Sequence, residues 1–345
     1  MNVAFLIHSL EAPSCRYRVL QYLPYLRQQG IDLSIYLFRR PLLDKLKFYN
    51  SLAQYDIIVI QRKLFSPADF WYIRRRTKRI VYDFDDAIMY RSPRYKTPYS
   101  FSRRVKFAFM MRRVDEVIAG NQFLKSQVLP FNSKVVVLPT SIDLSQYTLR
   151  KEDDHPGPIT IGWFGSRSSL RFLRNLIPAF ENTFKKHSNI QLKIVCSEFL
   201  DSQTIPVIKK KWSLSEEVQD IQSFDIGVMP LSDDLWSRGK CGLKILQYNS
   251  VGIPAVCTPV GINREIIQDG VNGFWAQNEA EWEDRLSTLI DEKERRKEMG
   301  REGRKIIEQY YSVEATAPRL FSTLTEVAKK REDGEGRKIV LHDAP

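Results

Sequence analysis

Residues 238–261 read RGKCGLKILQYNSVGIPAVCTPVG. A short basic loop runs into an apolar helix start, a Gly-Ile-Pro turn ends the helix, and a small apolar strand follows. Immediately upstream, DIGVMPL (225–231) has the composition of a buried strand and SDDLWSRGK (232–240) that of a loop. Strand, loop, helix and strand in that order form one unit of a parallel sheet covered on both faces.

The same unit recurs on either side. ITIGWFG (159–165), QLKIVC (191–196), DIGVMPL and PAVCT (254–258) are strands separated by helical stretches such as Leu170–Lys186. The first half has its own series: NVAFLI (2–7), DLSIYLF (32–38), DIIVIQ (56–61), RIVYDF (79–84), EVIAG (116–120) and KVVVL (134–138). Within Arg16–Gln29, Val19, Leu20, Leu23 and Leu26 lie near helical spacing. The polar, proline-bearing TLRKEDDHPGP (148–158) separates the two series and reads as a linker. After about Glu279 the chain is mostly helical, and GEGRKIVLHDAP at the end has little periodicity. The expected fold is α/β, with two doubly wound Rossmann-like domains at 1–150 and 151–312 and a mobile tail at 332–345.

Composition agrees with two domains. A chain of 345 residues with 43% hydrophobic content is longer than one core usually supports. Four scattered cysteines without metal-site spacing read as reduced thiols in a cytoplasmic protein. The short apolar run in MNVAFLIHSL reads as a first core strand, and no run approaches the length needed to span a bilayer. Charge is unevenly placed: residues 1–150 hold 25 Lys/Arg against 11 Asp/Glu, leaving 28 against 30 for the rest. The basic residues cluster with aromatics in YIRRRTKRI (72–80) and FSRRVKFAFMMRRV (101–114). Such faces suit an anionic membrane surface or a phosphate-bearing acceptor as well as plain solvation. No nucleic-acid-binding motif accompanies the charge, so nucleic acid is not an expected partner.

Ligand crevices of parallel sheets lie beyond the carboxyl ends of the strands. After the first strand, IHSLEAPSCRYRV (7–19) lacks GxGxxG, which argues against a dinucleotide oxidoreductase. It offers His8, Ser14, Arg16 and Arg18 for anion or hydroxyl recognition on the acceptor side. YDFDDAIMY (82–90) places Asp83, Asp85 and Asp86 at a strand end, where Asp85 or Asp86 can take a hydrogen bond from an attacking hydroxyl. GWFGSRSS (162–169) puts Gly165 and Ser166 at a helix start suited to phosphate. In the opening stretch, Cys241, Gly242 and Leu243 begin a helix flanked by Lys240 and Lys244. Backbone N–H groups with two cations make a diphosphate site, in which Lys240 and Lys244 would support the departing charge.

With these segments the chain resembles a family-4 glycosyltransferase of the two-domain GT-B fold over nearly its whole length. The branch it is most similar to acts in bacterial surface-polysaccharide assembly and carries DFDDA-like and GKxGxKxxQY-like segments. The resemblance implies an N-terminal acceptor domain, a C-terminal domain for a nucleotide diphosphate sugar, and transfer with retention. It also implies a helix at 313–331 that returns to the first domain across the cleft. No metal or cofactor is expected, although DFDDA is similar to the Asp-x-Asp metal signature of another transferase architecture. The family's two glutamates fall at Gly239 and Gln247; Gln247 is expected to meet the donor ribose, with Asp233 or Asp234 as a substitute for the first glutamate. The expected place is the cytoplasm or the inner face of the membrane. The alternatives are a catalytically degenerate nucleotide-sugar-binding protein and a nucleotide-sugar epimerase.

Overall fold

The computed structural model describes residues 1–38, 42–151 and 157–329. Two six-stranded parallel sheets organise them. The first contains β1 (Asn2–Ile7), β2 (Asp32–Leu37), β3 (Ile57–Gln61), β4 (Ile80–Phe84), β5 (Glu116–Ala119) and β6 (Val135–Val137), in the order β2-β1-β3-β4-β5-β6. The second contains β7 (Ile159–Phe164), β8 (Ile190–Val195), β9 (Val207–Lys210), β10 (Ile226–Met229), β11 (Ala255–Cys257) and β12 (Gly273–Trp275), in the order β12-β11-β10-β7-β8-β9. The strand order reverses between β1 and β3 and between β7 and β10. Loops leaving the carboxyl ends at those two points diverge and open a crevice.

Central strands are buried throughout: β3, β4, β5 and β10 have no exposed residue, as helices on both faces require. The edge strands β9 and β12 were not foreseen. VIKK is half polar and GFW is three residues long, so neither shows an apolar run. The helix expected over Arg16–Gln29 is divided into Pro13–Arg18, a tight turn at Leu20–Tyr22, and Leu23–Gln28. Pro24 has no N–H to continue the helical ladder and is tolerated only in the first turn of the last piece. Pro178 divides Leu170–Lys186 into Leu170–Arg174 and Ile177–Lys186 in the same way.

The helix Val313–Lys329 crosses back from the second half. Val313, Ala317, Leu320, Leu324 and Val327 recur at helical spacing and pack with Val3, Phe5, Val59 and Val81 of the first sheet. Residues 152–156 of the expected linker and the tail expected at 332–345 lie outside the described residues. Among the described residues no helix is long and apolar enough to cross a membrane.

Leu324 is fully buried in that stripe. Leu324→Ala should destabilise the protein by about 2–4 kcal/mol through lost burial and a cavity. Urea unfolding followed by fluorescence would show the midpoint falling; an unchanged midpoint would mean that the helix is not tied to the first sheet.

Candidate functional site

A cleft of about 940 Å³ lies between the two sheets at their carboxyl ends. His8, Ser14, Arg62, Asp85 and Asp86 line it from the first sheet, and Gly165, Ser166, Arg171, Lys240, Lys244 and Gln247 from the second. Six of these eleven follow directly from strand ends, the positions at which the sequence reading placed its candidates.

The two sides touch at two ion-paired clusters, one built on Asp86 and one on Glu217. Lys240 Nζ donates to Asp86 Oδ1 at 2.8 Å, and Arg62 Nη2 donates to Asp86 Oδ2 at 2.5 Å. Burial pushes the Asp86 carboxyl up, but Lys240 and Arg62 more than offset this and hold it below the usual carboxylate range. Asp85 is left with a looser pairing, its Oδ1 lying 3.4 Å from Arg62 Nε. Arg62 itself adopts φ +58°, the single non-glycine residue with positive φ among the described residues. That left-handed conformation costs a side-chain-bearing residue about 1–2 kcal/mol.

Around this cluster the chains approach through backbone. Asn121 Nδ2 donates to the carbonyl of Lys240 at 2.9 Å and to that of Arg238 at 3.3 Å. Cys241 is buried in the first sheet's core. A Cβ added at Gly239 would lie 2.6 Å from Ala87 Cβ and 2.8 Å from Ala87 N. The position at which the resemblance places a glutamate has no room for a side chain.

Deeper in the cleft, Glu217 gathers a second cluster. Its carboxylate accepts from Arg16 Nη2 (2.5 Å), Tyr17 Oη (2.5 Å), Tyr147 Oη (2.7 Å), Trp212 Nε1 (3.0 Å) and Gln247 Nε2 (3.3 Å). Burial pushes the Glu217 carboxyl up, yet Arg16 and the tyrosine hydroxyls keep it below its ordinary value. Burial and the neighbouring carboxylate push the Tyr17 hydroxyl well above the usual tyrosine range, so it stays a donor. Gln247 is 1% exposed and lines the cleft, and its Oε1 has no hydrogen-bond partner. A buried acceptor left open in this way costs about 1–3 kcal/mol until a donor reaches it.

Three cleft cations, Arg94, Arg171 and Lys244, form no ion pair among the described residues. Lys244 stands with its ammonium 5.7 Å from the Trp163 ring centroid; burial, then the Lys240 charge, bring its pKa down to about 8. Arg171 lies 4.5 Å from the Phe172 ring, and its buried Nε lacks a hydrogen-bond partner. Burial, with Arg94 adding to it, draws the Arg171 guanidinium below its ordinary value. Beside Lys244, Gly242 starts the helix Leu243–Ser250 at φ +70° without a side-chain cap. The first N–H groups of that helix therefore have no partner within it.

Several expectations need correction. Arg18 is buried against Asp83 and donates to the Leu138 carbonyl at 2.6 Å, so neither Arg18 nor Asp83 faces a ligand. Arg16 is bound to Glu217 rather than open to an acceptor. The Gly165 N–H donates to the Val195 carbonyl at 3.1 Å and cannot meet a phosphate, and Ser166 Oγ lies 2.9 Å from Ser168 Oγ. The helix that follows, Leu170–Arg174, has five residues. Asp233 pairs with Arg238, and Asp234 caps the N–H groups of Trp236 and Ser237, so neither replaces the first glutamate. Lys240 is paired with Asp86, and the Cys241 thiol is shut in apolar surroundings that push its pKa above the usual thiol range. His8 Nδ1 lies 3.3 Å from Gln61 Oε1, while burial and Arg62 lower its pKa. Ser14 and Leu243 line the cleft. Sequence reading missed Arg62, Arg171, Tyr17, Tyr147, Trp212 and Glu217. Arg171 had a signal, as a cation in the first turn after GWFGS.

Residues 209–306 match the family described as glycosyl transferases group 1. Among solved structures, Anabaena HepE in complex with UDP and glucose is similar at 16% identity and TM-score 0.69, over 94% of this chain and 99% of that one. Sucrose-phosphate synthase from Thermosynechococcus elongatus matches at 12% identity and TM-score 0.74, over 94% and 98%. A glycosyltransferase from Rickettsia africae matches at 13% and 0.71, over 95% and 98%. No curated protein sequence matches the chain. At these identities the likeness establishes the fold: two α/β domains in the GT-B arrangement.

The packing at Gly239 makes a specific expectation. Gly239→Glu, the glutamate that the resemblance places there, should hold the domains apart: circular dichroism unchanged, radius of gyration in small-angle scattering increased. A scattering curve superimposable on the parent's would show that the loop accommodates the side chain.

Proposed function

We propose that the protein is a glycosyltransferase that moves a sugar from a nucleoside diphosphate donor to a saccharide or lipid-linked saccharide acceptor. The observation that carries this reading is the pairing of Lys244 and the uncapped helix start at Gly242 with Asp85 across one cleft. Cations and backbone N–H groups on the second-domain side suit a leaving diphosphate; a carboxylate on the first-domain side suits an acceptor hydroxyl. Similar structures support the donor class: HepE is in complex with UDP and glucose, and a pneumococcal O-GlcNAc transferase is in complex with UDP and GlcNAc.

In this reading Lys244 and Arg171 take the diphosphate, since Lys240 is paired with Asp86. Gln247 Oε1 accepts from a ribose hydroxyl, which gives its open acceptor a partner. Asp85 receives the hydrogen bond of the acceptor hydroxyl while Asp86 maintains contact between the domains. Closure over the sugar excludes water, which would otherwise hydrolyse the donor. Transfer without a metal is supported by the pairing of Asp83 with Arg18 and of Asp86 with Lys240 and Arg62. Retention and a role in cell-surface polysaccharide assembly rest on the family resemblance.

The membrane proposal moves along the chain. In 72–80, Arg74 pairs with Asp115, Lys78 with Asp56, and Arg76 donates to Asn50, so that segment is engaged within the protein. Residues 87–114 contain eight Lys/Arg and no Asp/Glu. They expose Tyr95 (58%), Tyr99 (54%) and Phe101 (85%), and Ser92 and Arg94 of this segment line the cleft. Such a surface would bring the cleft to a lipid-linked acceptor at an anionic bilayer.

Two measurements test these assignments. Calorimetry with a panel of UDP- and GDP-sugars should find a donor whose affinity falls about tenfold or more in Lys244→Ala. Lys244 carries its charge below its lowered pKa and loses it above, so affinity should fall as pH rises through about 8; pH-independent binding from 7 to 9 would remove Lys244 from the donor site. Flotation with phosphatidylglycerol-containing vesicles should recover the protein, and Phe101→Ser with Arg104→Ser should reduce that recovery. Failure to float at low salt would end the membrane proposal.

A further inference from the structure

Arg62 combines three features that its neighbours do not share. It is a side-chain-bearing residue in the left-handed region, it lines the cleft, and its guanidinium contacts two of the three aspartates of DFDDA, Asp85 and Asp86. Glycine would fit its backbone without strain, so an arginine in this turn draws attention to what its side chain does. The turn is held locally by the Arg62 N–H, which donates to the Asp83 carbonyl at 2.8 Å and ties the end of β3 to the end of β4. From there Nη2 reaches Asp86 at 2.5 Å, and Nε lies 3.4 Å from Asp85 Oδ1. The other Asp86 oxygen accepts from Lys240 of the opposite domain.

Resting on the transferase reading above, we propose that Arg62 is a positioning residue: it fixes the acceptor-side carboxylate of Asp85 and links it, through Asp86 and Lys240, to closure of the two domains. The chain of contacts runs Asp85, Arg62, Asp86, Lys240, with the first three in one domain and the last in the other. Closing the cleft supplies Asp86 with its second cation and completes the frame that holds the guanidinium. With the cleft open, Asp86 lacks Lys240, and Arg62 has only carboxylates of its own domain to hold it. The acceptor hydroxyl would then meet a correctly placed Asp85 in the closed state, in which water is excluded. Arg62 acts through Asp85 and touches neither donor nor leaving group.

The test compares Arg62→Gly, Arg62→Lys and Asp85→Asn with the double variant Arg62→Gly/Asp85→Asn. Donor affinity is read by calorimetry, transfer by kcat and KM for each substrate, and folding by thermal melting. Arg62→Gly should lower kcat for transfer about 30-fold or more and leave the donor Kd within threefold, with a melting temperature close to the parent's because the glycine relieves the turn. Arg62→Lys should recover part of the lost kcat. The double variant should be no slower than Asp85→Asn alone, since one residue acts through the other.

Transfer by Arg62→Gly within threefold of the parent, or losses that multiply in the double variant, would overturn the proposal. A collapse of the melting temperature in Arg62→Gly that Arg62→Lys does not share would assign the residue to folding and overturn it as well. Donor binding without transfer by the unmodified protein would remove the transferase reading and this proposal with it; transfer by the parent with an indifferent Arg62→Gly removes only the latter.

Discussion

The functional cleft depends on how closely two loops from different domains can approach. Gly239 rests on the backbone of Ala87, and a Cβ at Gly120 would lie 2.4 Å from Cys241 Sγ. Only where side chains are missing from both loops can Lys240 and Asp86 come within 2.8 Å. Their ion pair is mostly shielded from water, and a charged hydrogen bond in such a place contributes on the order of 1.5–3 kcal/mol. That is comparable with a ligand's differential binding energy, so a bound donor can shift the balance between open and closed forms. The Arg16–Glu217 pair and the helix Val313–Lys329 add further contacts between the two halves.

This arrangement divides the cleft's charges into two groups. Arg16 with Glu217, Arg18 with Asp83, and Arg62 and Lys240 with Asp86 are paired within the protein. Lys244 and Arg171 are not ion-paired among the described residues and lie on the same side. Partly buried cations without counter-ions are costly to keep unless an anion arrives. Their placement gives the second-domain wall an electrostatic preference for a polyanion, whereas the first-domain wall presents a carboxylate. Charge separation of that kind is what a transfer with an anionic leaving group needs.

The fold was legible because buried parallel strands must be apolar on both faces; every central strand announced itself. The edges β9 and β12 did not: β9 is half polar and partly exposed, and β12 has three residues. The site was legible only in part. Strand-end loops were found because topology places ligands there, which brought His8, Asp85, Lys244 and Gln247 to one cleft. Pairings between residues distant in the chain were hidden: Asp86 and Lys240 are 154 positions apart, and Arg16 and Glu217 are 201 apart. A lone lysine or arginine beside a glycine loop reads as ligand-binding until its carboxylate partner is located. Arg18 and Arg16 were misread for that reason.

The missing glutamates can be understood from the same contacts. At 239 the requirement is steric: closure puts Ala87 where a side chain would begin, so glycine is what permits the Lys240–Asp86 pair. At 247 the requirement is electrostatic. Glu217 Oε1 lies 3.3 Å from Gln247 Nε2, and Tyr17 and Tyr147 also surround that amide. A glutamate at 247 would set two carboxylates against each other in a buried pocket, where one would have to take up a proton. The amide instead donates to Glu217 through Nε2, and its buried Oε1 has no hydrogen-bond partner. Gln247 with its unpartnered Oε1, the unpaired Lys244 and Arg62 in its left-handed turn thus border one cleft.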